Sequence, residues 1–245
     1  MPETDPKHAA AEGDLVRVGR QEMRAAGPGG QASANGAAIV TEEYARLHAD
    51  IERAASPARC FVVGVTSAVY GEGKTTVAMN LAGTMAQNSQ ARVTLVDCNL
   101  RNWDVQERLN IPDTTGLVDI LEGAEDDLTN VLHRTDLDNL AILPSGRQAG
   151  NPSRLVRSPR LGEVMSTLRM SNDFIVVDLP PVLPVADTKT LSRIVDGIVL
   201  VVRAGITPRE VVARAMDAVG SDKVLGVVLN GVESAMPRWL QRYFS

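Results

Sequence analysis

Residues 68–76 read AVYGEGKTT and directly follow the apolar run CFVVGV at residues 60–65. A glycine-rich loop that ends in Lys-Thr, between a buried strand and a helix, is the pattern of a phosphate-binding loop. Gly71 and Gly73 allow the backbone turns that point successive N–H groups at phosphate oxygens. The helix predicted over 75–88 directs its positive end at the same anion.

The side chains of this loop indicate that it binds a nucleoside triphosphate together with a metal ion. Lys74 is predicted to contact the β- and γ-phosphates of ATP, and the Thr75 hydroxyl is predicted to hold Mg²⁺. The predicted nucleotide-binding residues of the loop are Gly71, Glu72, Gly73, Lys74, Thr75 and Thr76.

Beyond the loop, apolar strands alternate with helical patterns along the chain. Strands that are apolar on both faces predict an α/β fold with a doubly wound, mostly parallel sheet and helices on both faces. The composition fits, with 44% hydrophobic and only 3% aromatic residues. Strands are predicted at 60–66, 92–97, 140–144, 174–178, 197–202 and 224–230, and helices at 41–54, 75–88, 115–133 (two pieces), 152–171, 185–194 and 207–219.

Length, composition and charge indicate how the chain is organised and which partners and location to expect. Of its 245 residues, 1–37 are Ala/Gly-rich and predicted to be a disordered tail, 38–236 form the P-loop domain, and 237–245 form an amphipathic C-terminal tail. A net charge of −5 disfavours a nucleic-acid partner. Two cysteines without metal or disulfide spacing, and no apolar run of roughly 20 residues, favour a cytoplasmic location.

Two predicted strands each end in an aspartate. Asp97 closes the strand at 92–97, and Asp178 closes the strand at 174–178. Both carboxylates are expected at the sheet edge that carries the P-loop, because ligands of such folds bind at the carboxyl ends of the strands. Mg²⁺ prefers oxygen ligands, so Thr75, Asp97 and Asp178 are the predicted metal residues.

Several ordered motifs together resemble the bacterial tyrosine kinases (BY-kinases), a branch of the deviant-Walker P-loop ATPases that control capsule and exopolysaccharide assembly. The resemblance covers roughly 40–235 and extends well beyond the P-loop. Its motifs are TSAVYGEGKTT (66–76), VDCNLR (96–101), GLVDIL (116–121), LPSG (143–146), NPSRL (151–155) and IVVDLPP (175–181).

The resemblance implies a tyrosine kinase or ATPase that uses ATP and Mg²⁺. It implies catalytic roles for Lys74, Asp97 and Asp178, with Asp97 as general base or water-positioning acid, and it implies a position near the adenine for Asn230. The implied partner is the cytoplasmic tail of a membrane polysaccharide co-polymerase. A homo-oligomer and peripheral association with the inner face of the plasma membrane are further implications.

The sequence departs from the family pattern at three places. Asn99 stands where the second motif, D-x-D-L-R, has its second acid, which should weaken the handling of Mg²⁺ and protons. Only Tyr243 lies near the C-terminus, where these kinases carry a tyrosine cluster. The stretch 42–50 differs from the E-x-x-R-x-x-x-x-N pattern of the oligomer-forming helix, so ring assembly through it is doubtful.

Two other functions stay open at this stage. One is a partition or septum-positioning ATPase switch. Val69 stands where the K-G-G-x-G-K-T pattern of those proteins has its first lysine, which counts against this function. In such a switch, residues 237–245 would be a membrane-surface anchor; the alternative is that their aromatic side chains pack on the core. The other is a nucleotide-binding scaffold without catalysis. Arg154, Arg157 and Arg160 form either a solvated basic face or a contact for an acidic tail or phosphotyrosine.

Overall fold

The computed structural model describes residues 15–19, 34–56, 59–111 and 115–232. The predictions made for the rest of the N-terminal tail and for the amphipathic tail at 237–245 lie outside the described residues. Two free cysteines, Cys60 and Cys98, lie within the described ranges.

The described residues form an alternating series of strands and helices. The strands are β1 (Leu15–Gly19), β2 (Phe61–Ser67), β3 (Val93–Asp97), β4 (His133–Arg134), β5 (Leu140–Leu143), β6 (Phe174–Asp178), β7 (Gly197–Arg203) and β8 (Val224–Val232). The helices are α1 (Ala34–Ala54), α2 (Lys74–Asn88), α3 (Asp104–Leu109), α4 (Leu117–Glu122), α5 (Pro152–Leu155), α6 (Pro159–Ser171), α7 (Asp187–Leu191) and α8 (Arg209–Val219). Short 3₁₀ turns lie at Leu128–Asn130 and Ser221–Lys223.

The strands build one sheet in the order β1-β8-β7-β2-β6-β3-β5-β4. All neighbouring pairs are parallel except β4 with β5, which is antiparallel. The P-loop strand β2 lies centrally, between β6 and β7. The predicted doubly wound, mostly parallel sheet is confirmed.

Helices cover both faces of the sheet, and successive strand residues point to opposite layers. Val62 packs into the layer that also contains buried residues of α4, α5, α6, α7 and α8. Its neighbour Val63 packs into the other layer, with residues of α1, α2 and α3. This alternation explains why the strands read as continuous apolar runs, since both faces of the sheet are buried.

The structure differs from the sequence prediction near the N-terminus. Leu15–Gly19, predicted as part of a disordered tail, pairs in parallel with β8 at the sheet edge. The helix predicted to begin at Thr41 already begins at Ala34, so Thr41 is not its N-cap. The first of these segments is too short, and its surroundings too polar, for its pairing to be read from the sequence alone.

Two further elements were not predicted from the sequence. The helix α3 (Asp104–Leu109) is one and a half turns long, and β4 is a two-residue antiparallel edge strand. Elements this short carry too few apolar positions to show a period. The helices predicted over 152–171 are α5 and α6; Ser158 is the N-cap of the second, which begins at Pro159.

The sheet brings the predicted site residues to one edge. The P-loop follows β2, Asp97 ends β3 and Asp178 ends β6. Asp97 and Asp178 are direct partners in the register of β3 with β6, and Asp178 is also paired with Val65 of β2. Adjacent parallel strands thus place two carboxylates beside the phosphate-binding loop.

We expect Gly116→Ala to destabilise this edge of the fold. A Cβ on Gly116 would lie 2.4 Å from the main-chain N of Gly146 and 2.6 Å from the carbonyl O of Pro144, and backbone atoms cannot easily yield. The expected loss in the free energy of unfolding is about 1–3 kcal/mol.

The matched control is Gly162→Ala, in the exposed interior of α6, where a Cβ meets nothing within 4 Å. That substitution should stabilise the protein by about 0.5–1 kcal/mol. Urea unfolding of both variants measures the two changes. Equal stability of the two variants would refute the packing described for Gly116.

Candidate functional site

The P-loop adopts the backbone geometry that phosphate binding requires. Gly71 has φ 80° and Gly73 has φ 91°, both in the left-handed region that side chains disfavour. A Cβ on Gly73 would also lie only 2.0 Å from Nδ2 of Asn230. The helix α2 begins at Lys74, immediately after this turn, so its N-terminal N–H groups lie beside the loop.

The side chain of Glu72 is turned into the protein rather than towards solvent. It is only 2% exposed. Its Oε2 accepts a hydrogen bond from the main-chain N–H of Val69 at 2.9 Å, and its Oε1 accepts from the N–H of Arg203 at 3.2 Å and from the Thr207 hydroxyl. The carboxylate therefore ties the P-loop to the end of β7. A nucleotide contact from Glu72 would have to come from its main chain.

Asn230 supports the same loop from the end of β8. Its Nδ2 donates a hydrogen bond to the carbonyl O of Glu72 at 2.8 Å. This contact gives Asn230 a place directly against the P-loop, which the sequence did not indicate. The adenine contact implied by the family resemblance stays a prediction.

A buried polar cluster links the P-loop to Asp178. The ammonium of Lys74 lies 3.3 Å from Asp178 Oδ1 and 3.0 Å from the Thr75 hydroxyl oxygen. The Thr75 hydroxyl donates to Asp178 Oδ2 at 2.7 Å. Burial raises the pKa of Asp178, and the neighbouring Lys74 and Thr75 oppose that rise.

Asp97 is the least satisfied charged group of this edge. It is fully buried, and its Oδ1 accepts a hydrogen bond from the N–H of Asn99 at 2.9 Å. Its Oδ2, and the side-chain Nδ2 of Asn99, have no hydrogen-bond partner among the described residues. Burial raises the pKa of Asp97 well above its usual value, the nearby Asp178 carboxylate raises it further, and Lys74 lowers it.

These residues fit Mg²⁺ and a polyphosphate. Two carboxylates and a hydroxyl offer the hard oxygen ligands that Mg²⁺ prefers, and Asp97 Oδ2 has an unused acceptor. No cluster of three or more His, Cys, Asp or Glu suited to a metal occurs in the described part of the chain. One or two carboxylates together with substrate phosphates are the usual Mg²⁺ ligands at such sites, so a full protein cage is not needed.

Several supporting contacts were not found from the sequence. Arg108 of α3 donates to the Thr76 hydroxyl at 3.1 Å, and Gln106 of the same helix accepts from the Ser145 hydroxyl at 3.0 Å and from the N–H of Gly146 at 2.9 Å. The unpredicted helix α3 thus bridges the P-loop helix and the LPSG motif. No sequence pattern marks these long-range partners.

Comparison with known proteins decides the family. The family model described as an AAA domain (AAA_31) matches residues 62–214, more than half of the chain. The tyrosine-protein kinase YwqD of Bacillus subtilis (strain 168) is 33% identical over 193 residues, covering 78% of this chain and 81% of YwqD. This chain belongs to the bacterial tyrosine-protein kinase family.

Two further comparisons give a sequence relative and a solved structure of the same fold. The succinoglycan biosynthesis transport protein ExoP of Rhizobium meliloti (strain 1021) is 33% identical over 195 residues, which cover 78% of this chain and 24% of ExoP. The kinase domain of the Escherichia coli tyrosine kinase ETK has the same fold, with a TM-score of 0.80 and 23% identity over 91% of each chain. Within the described ranges, no helix of this family member is long and apolar enough to span a bilayer.

We expect Glu72→Gln to loosen the P-loop. Both carboxylate oxygens accept hydrogen bonds from N–H or O–H donors, so the amide must turn its NH₂ group towards a donor. Leaving such a buried group unsatisfied costs about 1–3 kcal/mol of stability. Urea unfolding and titration with a fluorescent ADP analogue should show lower stability and weaker nucleotide binding. Glu163→Gln, on the exposed face of α6, should change neither; the account of Glu72 is wrong if both variants behave alike.

A second prediction concerns pH and the buried carboxyl of Asp97, measured without nucleotide or Mg²⁺. Because its pKa is raised in the folded state, the folded protein holds a proton that the unfolded chain releases. Stability is therefore lost as the pH rises from the ordinary carboxyl value of 3.8 through the raised pKa, by about 1.4 kcal/mol for each unit of the shift.

Asp97→Asn removes this loss, so the variant should be more stable than the parent at pH 7, with the difference closing near pH 4. Thermal unfolding across this pH range measures the effect. Asp138→Asn, an exposed position, should follow the parent. A constant difference between Asp97→Asn and the parent at all pH values would contradict the buried-carboxyl description.

Proposed function

We propose that this protein transfers the γ-phosphoryl group of Mg-ATP to the hydroxyl of a tyrosine in a polypeptide, with water as the alternative acceptor. The observation that carries the proposal is the meeting of the P-loop with Lys74, Thr75, Asp97 and Asp178 at one buried edge of the sheet. Membership of the tyrosine-protein kinase family supports tyrosine as the acceptor.

Each residue has a role that its position allows. The ammonium of Lys74 would give up its contact with Asp178 and would contact oxygens of the β- and γ-phosphates instead. Thr75 and Asp178 would hold the metal ion, with Asp97 within reach of it. Mg²⁺, when bound, supplies positive charge that offsets the phosphate oxygens during transfer. The main-chain N–H groups of residues 71–76 would orient the phosphates and keep the leaving group in place.

Asp97 is proposed as the general base. The acceptor oxygen forms a bond to the γ-phosphorus, the bond from that phosphorus to the bridging oxygen of ADP breaks, and the acceptor's proton passes to Asp97. Because burial raises the pKa of Asp97, its carboxylate is a stronger base than that of an exposed aspartate. The unpaired Oδ2 of Asp97 is the oxygen available for that proton.

The relatives suggest the biological setting. YwqD is a tyrosine-protein kinase, and ExoP is a succinoglycan biosynthesis transport protein of which this chain matches 24%. We propose that this chain regulates exopolysaccharide or capsule synthesis or export. Its proposed partner is the cytoplasmic tail of a membrane polysaccharide co-polymerase, and its proposed location is the inner face of the plasma membrane.

A second candidate function is a nucleotide-binding scaffold without phosphotransfer. The observation that favours it is Asn99, which stands where the family has an acid and whose buried Nδ2 has no hydrogen-bond partner among the described residues. Incubation with Mg-ATP and a tyrosine-containing acceptor separates the possibilities. Phosphotyrosine supports the kinase, phosphate release alone supports an ATPase, and bound ATP that is never turned over supports the scaffold.

We expect Lys74→Ala to abolish nucleotide binding and turnover. The substitution removes the only ammonium that the described part of the chain places in the cluster with Asp178. Loss of a charge-assisted contact to phosphate should weaken the binding of a fluorescent ADP analogue by about tenfold or more. Lys189→Ala, an exposed position on α7, is the matched control and should bind normally. Unchanged binding by Lys74→Ala would overturn the site assignment.

A further inference from the structure

A groove with a strongly basic lining lies beside the loop that follows β3. Its cavity volume is about 670 Å³. Its lining offers two guanidinium groups, an amide and two hydroxyls, and it includes no carboxylate. The lining residues are Asn151, Ser153, Arg154, Arg157, Ser158 and Pro159. We call this feature the arginine groove.

The backbone of the arginine groove is held by two successive helix starts. The Asn151 side chain accepts a hydrogen bond from the N–H of Arg154 at 3.1 Å and caps α5. The Ser158 hydroxyl accepts from the N–H of Arg160 at 3.3 Å and caps α6. Between the caps, Leu155 and Val156 are buried in the core. The exposed side chains of the groove therefore project from a fixed main chain.

A hydrogen-bond network connects the groove to the catalytic edge. Arg101 lies two residues after Asn99, and its guanidinium donates to the Ser153 hydroxyl at 3.0 Å and to Asp187 at 2.7 Å. The Ser153 hydroxyl donates to the same Asp187 oxygen at 2.7 Å. The end of the groove that contains Ser153 thus adjoins the loop that leads from the proposed base, Asp97.

The charges of the groove are not balanced within the chain. Asp187 is buried, and both Arg101 and, at 3.9 Å, Arg157 lie against it. Arg154 has no ion pair among the residues that the structure describes. Asp187 therefore has two guanidinium groups against it, and the charge of Arg154 is not offset by an ion pair within the described residues.

The third arginine of the sequence pattern does not contribute to this charge. The guanidinium of Arg160 donates to the carbonyl O of Ile120 at 2.8 Å and lies 2.6 Å from Asp126. It is therefore neutralised by a different element. The three arginines do not form one solvated basic face, and only Arg154 and Arg157 line the groove.

We propose that the arginine groove binds an acidic stretch of the polypeptide whose tyrosine is presented to Asp97. The inference rests on the proposed kinase function and names the class of acceptor that this site selects. Guanidinium groups bind carboxylates through paired, charge-assisted hydrogen bonds, and the groove supplies two with hydroxyl and amide donors beside them. Because Arg101 joins Ser153 of the groove to the loop after β3, acidic residues bound in the groove would lie on the side of the site where the acceptor tyrosine is proposed to bind.

The test measures peptide binding without turnover, with ADP and Mg²⁺ present. The probe is a fluorescein-labelled Glu-rich peptide with a single Tyr, and its counterpart carries Gln at every Glu position. The variant Arg154→Gln/Arg157→Gln is compared with Arg193→Gln/Arg214→Gln, which removes the same charge from two exposed positions elsewhere. Thermal unfolding verifies that both variants are folded.

The groove predicts that the parent binds the Glu-rich peptide at least about tenfold more tightly than the Gln-rich peptide. Arg154→Gln/Arg157→Gln should lose that preference, the control pair should keep it, and the affinity for a fluorescent ADP analogue should stay unchanged in both. Equal binding of the two peptides by the parent, or unchanged preference in Arg154→Gln/Arg157→Gln, would overturn the inference.

A competition experiment with inorganic phosphate tests whether the groove is only a general anion-binding site. Inorganic phosphate at the concentration of the peptide should fail to displace it, and displacement would overturn the proposal of a peptide groove. The failure of the proposed function would look different. Loss of ATP binding by the parent protein, or absence of phosphotyrosine from any acceptor, concerns the P-loop site, whereas the peptide preference concerns Arg154 and Arg157 alone.

Discussion

The buried contact between Lys74 and Asp178 is the interaction on which the rest of the site depends. It brings a cation from the P-loop and an anion from a different strand together at 3.3 Å, with both side chains removed from solvent. A buried pair of this kind costs desolvation energy and contributes little net stability. We propose that the pair keeps Lys74 and Asp178 in place until a phosphate takes over the contact with Lys74 and a metal ion takes over the contact with Asp178. Asp97 ends the neighbouring strand, where burial and then the Asp178 carboxylate raise its pKa and Lys74 only partly opposes that rise.

The loop around this pair is prepared in advance by the protein. Glu72 and Asn230 attach the P-loop to the ends of β7 and β8 through hydrogen bonds. Preorganised N–H donors need no rearrangement when charge develops on the phosphates, which is how such sites lower a reaction barrier. Side chains beside the arginine groove are also held in place by hydrogen bonds within the protein. There, Asp187 and Ser153 hold Arg101 in place, and the neighbouring guanidinium groups are left to recognise a partner.

The sequence was sufficient to predict the sheet and the edge at which Asp97 and Asp178 meet, because both depend on local patterns. Continuous apolar strands showed the buried sheet, and Asp97 and Asp178 could be assigned to one edge since each ends such a strand. The structural roles of Glu72, Asn230 and Asp187 depend on partners far away in the sequence, which no local pattern records. The strand β1 and the helix α3 escaped prediction because each is too short to show a periodicity. Arg160 resembles its neighbours in sequence, and its contacts with Asp126 and with the carbonyl O of Ile120 distinguish it from them.

A structure determined with Mg²⁺ and ADP tests the central claim most directly. The account predicts that Lys74 leaves Asp178 and contacts the β-phosphate, while the metal ion lies beside Thr75 and Asp178. It also predicts that the main-chain N–H groups of residues 71–76 surround the phosphates. ADP bound elsewhere, or bound at the loop with the Lys74–Asp178 contact intact and Mg²⁺ remote from Asp178, would contradict it.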